Sequence, residues 1–349
     1  MALSEERVLE ALRTVMDPEL GKDLVSLGMV GEVRVEGDRV DLLVNLTTPA
    51  CPLKAQIEAD IRRALAPLAA EVRVRFGGGV RPPEQYPIPG VKHVVAVASG
   101  KGGVGKSTVA ANLALALSRE GARVGLLDAD LYGPSQAKML GLEGRRLQVD
   151  GNRKILPLEV HGLKVLSMAN LVPPGQALVW RGPILHGTLK QFLEEVNWGE
   201  LDYLVVDLPP GTGDVQLSLT QLTRVSGGVI VTTPQEVALI DAERAADMFK
   251  KVQVPVLGVL ENMSAFLCPH CGKPTPIFGE GGGRRLAEKL KARFLGEIPL
   301  TLPLRESGDK GLPIVAQDPE GLEAQAFLRA ARELAAALSV QAFLALPMA

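Results

Sequence analysis

Gly100-Lys101-Gly102-Gly103-Val104-Gly105-Lys106-Ser107-Thr108 is the stretch that decides the fold of this 349-residue chain. Gly100 and Gly105-Lys106-Ser107 have the spacing of a complete phosphate loop, and the run from Val91 to Ser99 before it reads as a buried strand. The residue types follow from the chemistry. Glycines let backbone N–H groups turn toward a polyphosphate, and a helix starting near Ser107 adds the positive end of its dipole. Lys106 is then expected to reach the β- and γ-phosphates of ATP while the Ser107 hydroxyl ligates Mg²⁺.

Strand and helix patterns alternate from this loop onward. Apolar runs at Ala122 to Asp128, Leu204 to Asp207, Gly228 to Thr233, Val256 to Val259 and Phe294 to Ile298 predict a mostly parallel, doubly wound α/β sheet. Their near-continuous Val, Leu and Ile is what burial on both faces requires. Gln148 to Pro157, centred on Asp150-Gly151-Asn152, reads as an inserted hairpin. Asp207 ends its strand as a carboxylate placed to hold Mg²⁺ or its waters. Pro209 to Gly213 then predicts a switch loop with the Gly211 N–H near the γ-phosphate.

Lys101 is a second lysine that an ordinary phosphate loop does not need. With it, the loop resembles the deviant Walker A loop of the MinD/ParA-like ATPases, whose early lysine crosses a dimer interface to the partner's nucleotide. A solvated loop charge is the plain alternative. By the same resemblance, Asp130 positions the attacking water, Asp128 supports the Mg²⁺ shell, and Asn262 stands where related ATPases read adenine with an amide.

Residues 1–76 form a module of their own, in the order α-β-β-α-β. Ser4 caps a helix reaching toward Met16, Gly31 to Val35 and Arg39 to Leu46 make a hairpin, and a helix from Leu53 to Leu65 leads to a strand from Glu71 to Phe76. Cys51 falls at an expected N-cap with Pro52 at the first helical position. That placement predicts a lowered pKa and a nucleophilic or metal-binding thiol, against a buried structural cysteine as the alternative. Asp17-Pro18-Glu19-Leu20 and Thr47-Thr48-Pro49-Ala50-Cys51-Pro52 resemble the small domain of cytosolic iron-sulfur assembly factors, which implies that Cys51 acts in cluster transfer. Residues 77–90 hold four glycines and four prolines and read as a semi-stiff linker, so the module is expected to move relative to the ATPase domain of 91–349.

Cys268-Pro269-His270-Cys271 completes the inventory. Two thiolates are half of what a tetrahedral zinc or a [4Fe-4S] cluster takes, and a two-fold dimer would supply the other half by placing two pairs across one axis. His270 is expected to be a spacer. Together with Asp128-Ala129-Asp130-Leu131-Tyr132-Gly133-Pro134-Ser135 and Asp207-Leu208-Pro209-Pro210-Gly211-Thr212-Gly213-Asp214, the stretch from Glu261 to Cys271 resembles the Mrp/ApbC family of iron-sulfur carrier ATPases over essentially the whole chain. The resemblance implies a slowly ATP-hydrolysing homodimer that holds a labile [4Fe-4S] cluster between subunits and exchanges it with scaffold and apo-acceptor proteins. The cysteine-rich N-terminal extension of some eukaryotic relatives is missing, so no second cluster within one chain is expected. A MinD/ParA-type positioning ATPase and a zinc-bridged structural dimer are the alternatives.

Composition bounds the remaining classes. A formal net charge of -2 and pI near 6.2 give no basic footprint for nucleic acid. No apolar run approaches a membrane span, Met1 to Glu6 is not a signal peptide, and three cysteines do not make a disulfide framework. A cytoplasmic protein is the expectation.

Overall fold

The computed structural model describes residues 3–80, 88–171 and 182–344. These divide into two compact units, one of 1–81 with 335–349 and one of 82–334.

In the small unit Ser4 accepts a hydrogen bond from the Arg7 N–H and starts the helix Glu5–Leu12, which buries Val8 and Leu12. The helix stops short of the expected Met16, because Met16–Asp17 pairs with Lys22–Asp23 as a short antiparallel ladder. Strands Val30–Glu36 and Arg39–Leu46 form the predicted hairpin. Along Arg39–Leu46 the residues Val40, Leu42, Val44 and Leu46 are buried in alternation, and with Ile57, Ile61 and Leu65 of helix Lys54–Leu65 they make one core. The last strand, Glu71–Gly78, runs parallel to Arg39–Leu46 and continues past Phe76 into the stretch expected to be linker. Residues 81–87 of that stretch lie outside the described residues.

The large unit carries a nine-stranded sheet. Its parallel strands run in the order Leu163–Ser167, Val124–Asp128, Leu201–Asp207, Val91–Ser99, Gly227–Thr232, Val256–Leu267 and Arg293–Leu300. Leu158–Val160 and Pro274–Thr275 add antiparallel pairs at either side. Every residue of Val124–Asp128, Leu201–Asp207 and Gly227–Thr232 is buried, as double-sided cover demands. The inserted hairpin is present as Gln148–Val149 against Ile155–Leu156.

Two features of the sheet position the site. The register sets Ser167, Asp128 and Asp207 abreast at the carboxyl ends of three neighbouring strands. Val256–Leu267 is also much longer than its apolar run suggested, continuing through Met263, whose φ is +55°, to end beside Cys268.

Candidate functional site

The phosphate loop leaves strand Val91–Ser99 and enters helix Lys106–Arg119 with Gly105 at the N-cap. Gly105 has φ +78°, and a Cβ there would lie 2.2 Å from Asn262 Nδ2. At Gly100 a Cβ would lie 2.0 Å from the main-chain carbon of Asp241, so both glycines are set by close approach as well as by the turn.

Lys106, 6% exposed, makes a tight ion pair with the fully buried Asp207 and lies 3.3 Å from the Ser107 Oγ. Asp128, fully buried beside Asp207, accepts from the Gln136 and Asp130 N–H groups and from the Ser167 hydroxyl at 2.9 Å. Burial first, then the Asp207 charge, push the Asp128 carboxyl up to about 7, against the donors and Lys106. Asp130 is half-buried and accepts from the Gly133 N–H. The Lys101 carbonyl accepts the Ser99 hydroxyl at 3.0 Å, and the side chain is partly exposed.

One expectation for this end changes. The Gly211 N–H is committed to the Ser99 carbonyl at 2.9 Å, so the switch loop here is tied to the strand rather than presented to a phosphate. Asn262 is 3% exposed and its amide donates to the Val104 carbonyl at 2.9 Å, which makes it a brace for the phosphate loop.

Gln136 was not singled out from the sequence, although it directly follows Asp128 to Ser135. It is fully buried, and its Nε2 donates to Asp207 Oδ2 at 2.8 Å and to the Ser107 carbonyl at 3.0 Å.

At the far end of Val256–Leu267 the cysteine pair forms the tip of a hairpin with Pro274–Thr275. Cys268 N–H donates to the Lys273 carbonyl and Gly272 N–H returns to the Cys268 carbonyl. Cys268 is half-exposed and Cys271 exposed. The His270 N–H, then those of Cys271 and its thiol, donate to the Cys268 sulfur and hold its pKa below that of an ordinary thiol. His270 is exposed. Among the described residues no three His, Cys, Asp or Glu side chains converge on one point.

Cys51 does not cap its helix. The helix starts at Lys54 with Leu53 as N-cap, because Pro52 and Leu53 are taken up in a turn. Burial against the small core raises the Cys51 pKa, Asp17 and Glu19 add to the rise, and the Leu53 and Lys54 N–H groups oppose it. The expected lowering is thus reversed.

A strand, a glycine loop closing on a lysine, and two carboxylates abreast of it define a P-loop NTPase. Residues 90–335 match the family described as NUBPL iron-transfer P-loop NTPase, and residues 5–76 match that described as iron-sulfur cluster assembly protein. The chain belongs to the NUBPL iron-transfer P-loop NTPase family. It is 58% identical over 344 residues to the iron-sulfur cluster carrier protein of Deinococcus radiodurans, covering 98% of each chain. It is 47% identical over 350 residues to that of a Synechocystis strain, covering 97% of this chain and 99% of the other. Among solved structures, a nucleotide-binding protein in complex with ADP from Archaeoglobus fulgidus shares 41% identity at a TM-score of 0.59, over 67% of this chain and 90% of that one. The cell division ATPase MinD of Pyrococcus furiosus, 23% identical with a TM-score of 0.52 over 69% of this chain and 97% of that one, shares the fold. No helix among the described residues is long and apolar enough to cross a membrane.

Proposed function

We propose that this protein is an ATP-hydrolysing iron-sulfur cluster carrier that works as a homodimer. The observation that carries the reading is one strand: Asn262 on it braces the phosphate loop, and five residues further on it ends at Leu267, directly before the half-exposed Cys268 and exposed Cys271. Nucleotide and cargo are therefore served by a single continuous element.

The nucleotide end suits Mg·ATP. Its donors are all oxygens, the Ser107 hydroxyl and the Asp207 and Asp128 carboxylates, as a hard divalent cation prefers. Buried carboxylates also need a positive partner, and Asp207 takes Lys106 as its own. When bound, Mg²⁺ would neutralise charge developing between the β- and γ-phosphates. Ser107 and Asp207 would hold it, with Asp128 supporting its water shell. Lys106 would bind the phosphates, Lys101 would reach the partner's nucleotide, and Asp130 would orient the attacking water. The cargo is a [4Fe-4S] cluster held by Cys268 and Cys271 from each of two subunits, since one chain supplies two of the four thiolates. Scaffold and apo-acceptor proteins would be its source and destination, with Cys51 acting in the transfer.

Anaerobic purification and reconstitution tests this. About four iron and four sulfide per dimer are expected, from the ligand count of such a cluster. Lys106→Ala and Asp130→Ala should each nearly abolish ATP hydrolysis, and Asp130→Ala should keep nucleotide binding. Zinc held persistently in place of iron, or unchanged turnover in either variant, would sink the reading.

A further inference from the structure

Gln136 occupies a place in the nucleotide site that the roles above leave unassigned. Three separate parts of the phosphate and metal chemistry meet on this one residue. Its main-chain N–H donates to Asp128 Oδ2 at 3.0 Å. Its side-chain Nε2 donates to Asp207 Oδ2 at 2.8 Å and to the main-chain carbonyl of Ser107 at 3.0 Å. Nothing about the start of a four-residue helix, Gln136–Met139, requires a glutamine there, and an apolar side chain would be the ordinary choice for a fully buried position.

The other corner of the amide carries the argument further. Gln136 Oε1 is buried and has no hydrogen-bond partner among the described residues, and the adjacent Ser135 Oγ is in the same condition. A buried oxygen left without a donor costs about 1–3 kcal/mol. Gln136 itself touches both buried carboxylates and the Ser107 turn, so its Oε1 is an acceptor without a donor at the edge of the metal-site oxygens. A hydrated Mg²⁺ provides one, because this ion keeps several of its waters when it binds through one or two carboxylates and a nucleotide. Nε2 would also be misused if it faced the metal directly, since an amide N–H repels a cation; here it is spent on orienting Asp207.

We infer that Gln136 is a positioning residue of the metal site, which orients Asp207 through Nε2 and accepts a hydrogen bond from a metal-bound water through Oε1. This rests on the proposed nucleotide reading and is independent of the cysteine pair. Outer partners of this kind typically change metal affinity about 10–100-fold when removed. A residue that only filled space would not do so when replaced by a side chain of the same length.

Mn²⁺ with ATP is the probe, its free and bound forms being counted by electron paramagnetic resonance on the full-length, metal-free protein. Gln136→Met keeps length and packing, and Gln136→Leu is the second variant. The expected result is Mn²⁺ binding in the ternary complex weakened about tenfold or more in both, with ATP binding measured in excess EDTA unchanged within about twofold. Thermal unfolding without metal should be lowered in both variants to a similar degree, since Asp207 Oδ2 and the Ser107 carbonyl lose the same donor. Mn²⁺ affinity equal to the parent's in Gln136→Met would overturn the inference. So would a loss of thermal stability in both variants with normal Mn²⁺ binding, which would leave Gln136 a packing residue. A parent chain that binds no Mn²⁺ with ATP would instead bring down the nucleotide reading itself.

Discussion

Cys51 and Cys268 are each followed by proline, and each opens a turn in which the N–H groups two and three residues on point at the sulfur: Leu53 and Lys54 for one, His270 and Cys271 for the other. The local motif is the same, yet the two thiols are pushed in opposite directions. Around Cys51 the small core closes in and two carboxylates, Asp17 and Glu19, face the sulfur, so burial wins and the thiol is held protonated. Around Cys268 the hairpin tip is open and the second thiol joins the N–H donors, so the thiolate is favoured over that of an ordinary cysteine. Backbone donors alone therefore do not make a metal-binding or nucleophilic cysteine. The surroundings decide which of two equal turns favours a thiolate.

The largest effect that could break this contrast is loss of cargo. Cys268→Ser or Cys271→Ser should remove two ligands from a dimer at once, and iron content after reconstitution should fall to background while ATP binding is kept. Cys51→Ser should leave iron content unchanged. Cluster loading that survives either hairpin variant, or fails in the Cys51 variant, would reverse the assignment of the two turns.

Next in size is thiol reactivity in the metal-free chain. Burial raises the Cys51 pKa and leaves it less ionised at pH 7 than an ordinary thiol, whereas the N–H donors lower that of Cys268 and leave it more ionised. Alkylation followed by mass spectrometry should therefore find Cys268 at least about tenfold faster than Cys51 at pH 7. The Cys268 rate should level off first as pH rises, because its thiol titrates lower. Equal rates, or Cys51 levelling off first, would contradict the opposed environments.

This contrast also marks what could be read from residues alone. The phosphate loop between its strand and helix, and the strand-end place of Asp207, were legible because contiguous spacing encodes them. So was most of the parallel sheet, from runs of buried Val, Leu and Ile. The environment of Cys51 was not, because Cys-Pro looks like a cap until the helix is seen to start at Lys54 and the core to close over the sulfur. The brace made by Asn262 was not legible either, because its partner, the Val104 carbonyl, lies 158 residues away in sequence. Gln136 carried no pattern of its own, and its importance comes from three partners that only the folded sheet brings together. Strand Val256–Leu267 is longer than the apolar run Val256 to Val259 because it continues through the polar Glu261 and Asn262, both buried, and through Met263 in the left-handed region, none of which an apolar pattern shows.

A smaller effect is expected in cluster delivery. If Cys51 acts in handing cargo on, Cys51→Ser should slow transfer to an apo-acceptor several-fold, with the loaded cluster and the ATPase rate unchanged. Its high pKa argues for a thiol that reacts only when a partner uncovers it, so the defect should appear in the presence of acceptor and not in spontaneous cluster loss. Transfer at the parent rate would reduce Cys51 to a core residue.

The smallest effect separates the causes that raise the Cys51 pKa. Desolvation comes first and the Asp17 and Glu19 charges follow, so removing one charge should recover only part of the shift. Asp17 is the poorer target, since its Oδ1 accepts the Glu19 and Leu20 N–H groups and shapes the turn. Glu19→Gln removes a negative charge near the sulfur with little change of shape. It should lower the Cys51 pKa slightly and speed its alkylation at pH 7 by about twofold, a gain limited because a more acidic thiol is also a weaker nucleophile. Cys268, in the other unit, should react at its parent rate and so serves as the internal reference. A rise at Cys51 to the Cys268 rate would mean that charge, rather than burial, separates the two turns; no rise at all would leave burial as the only cause that matters.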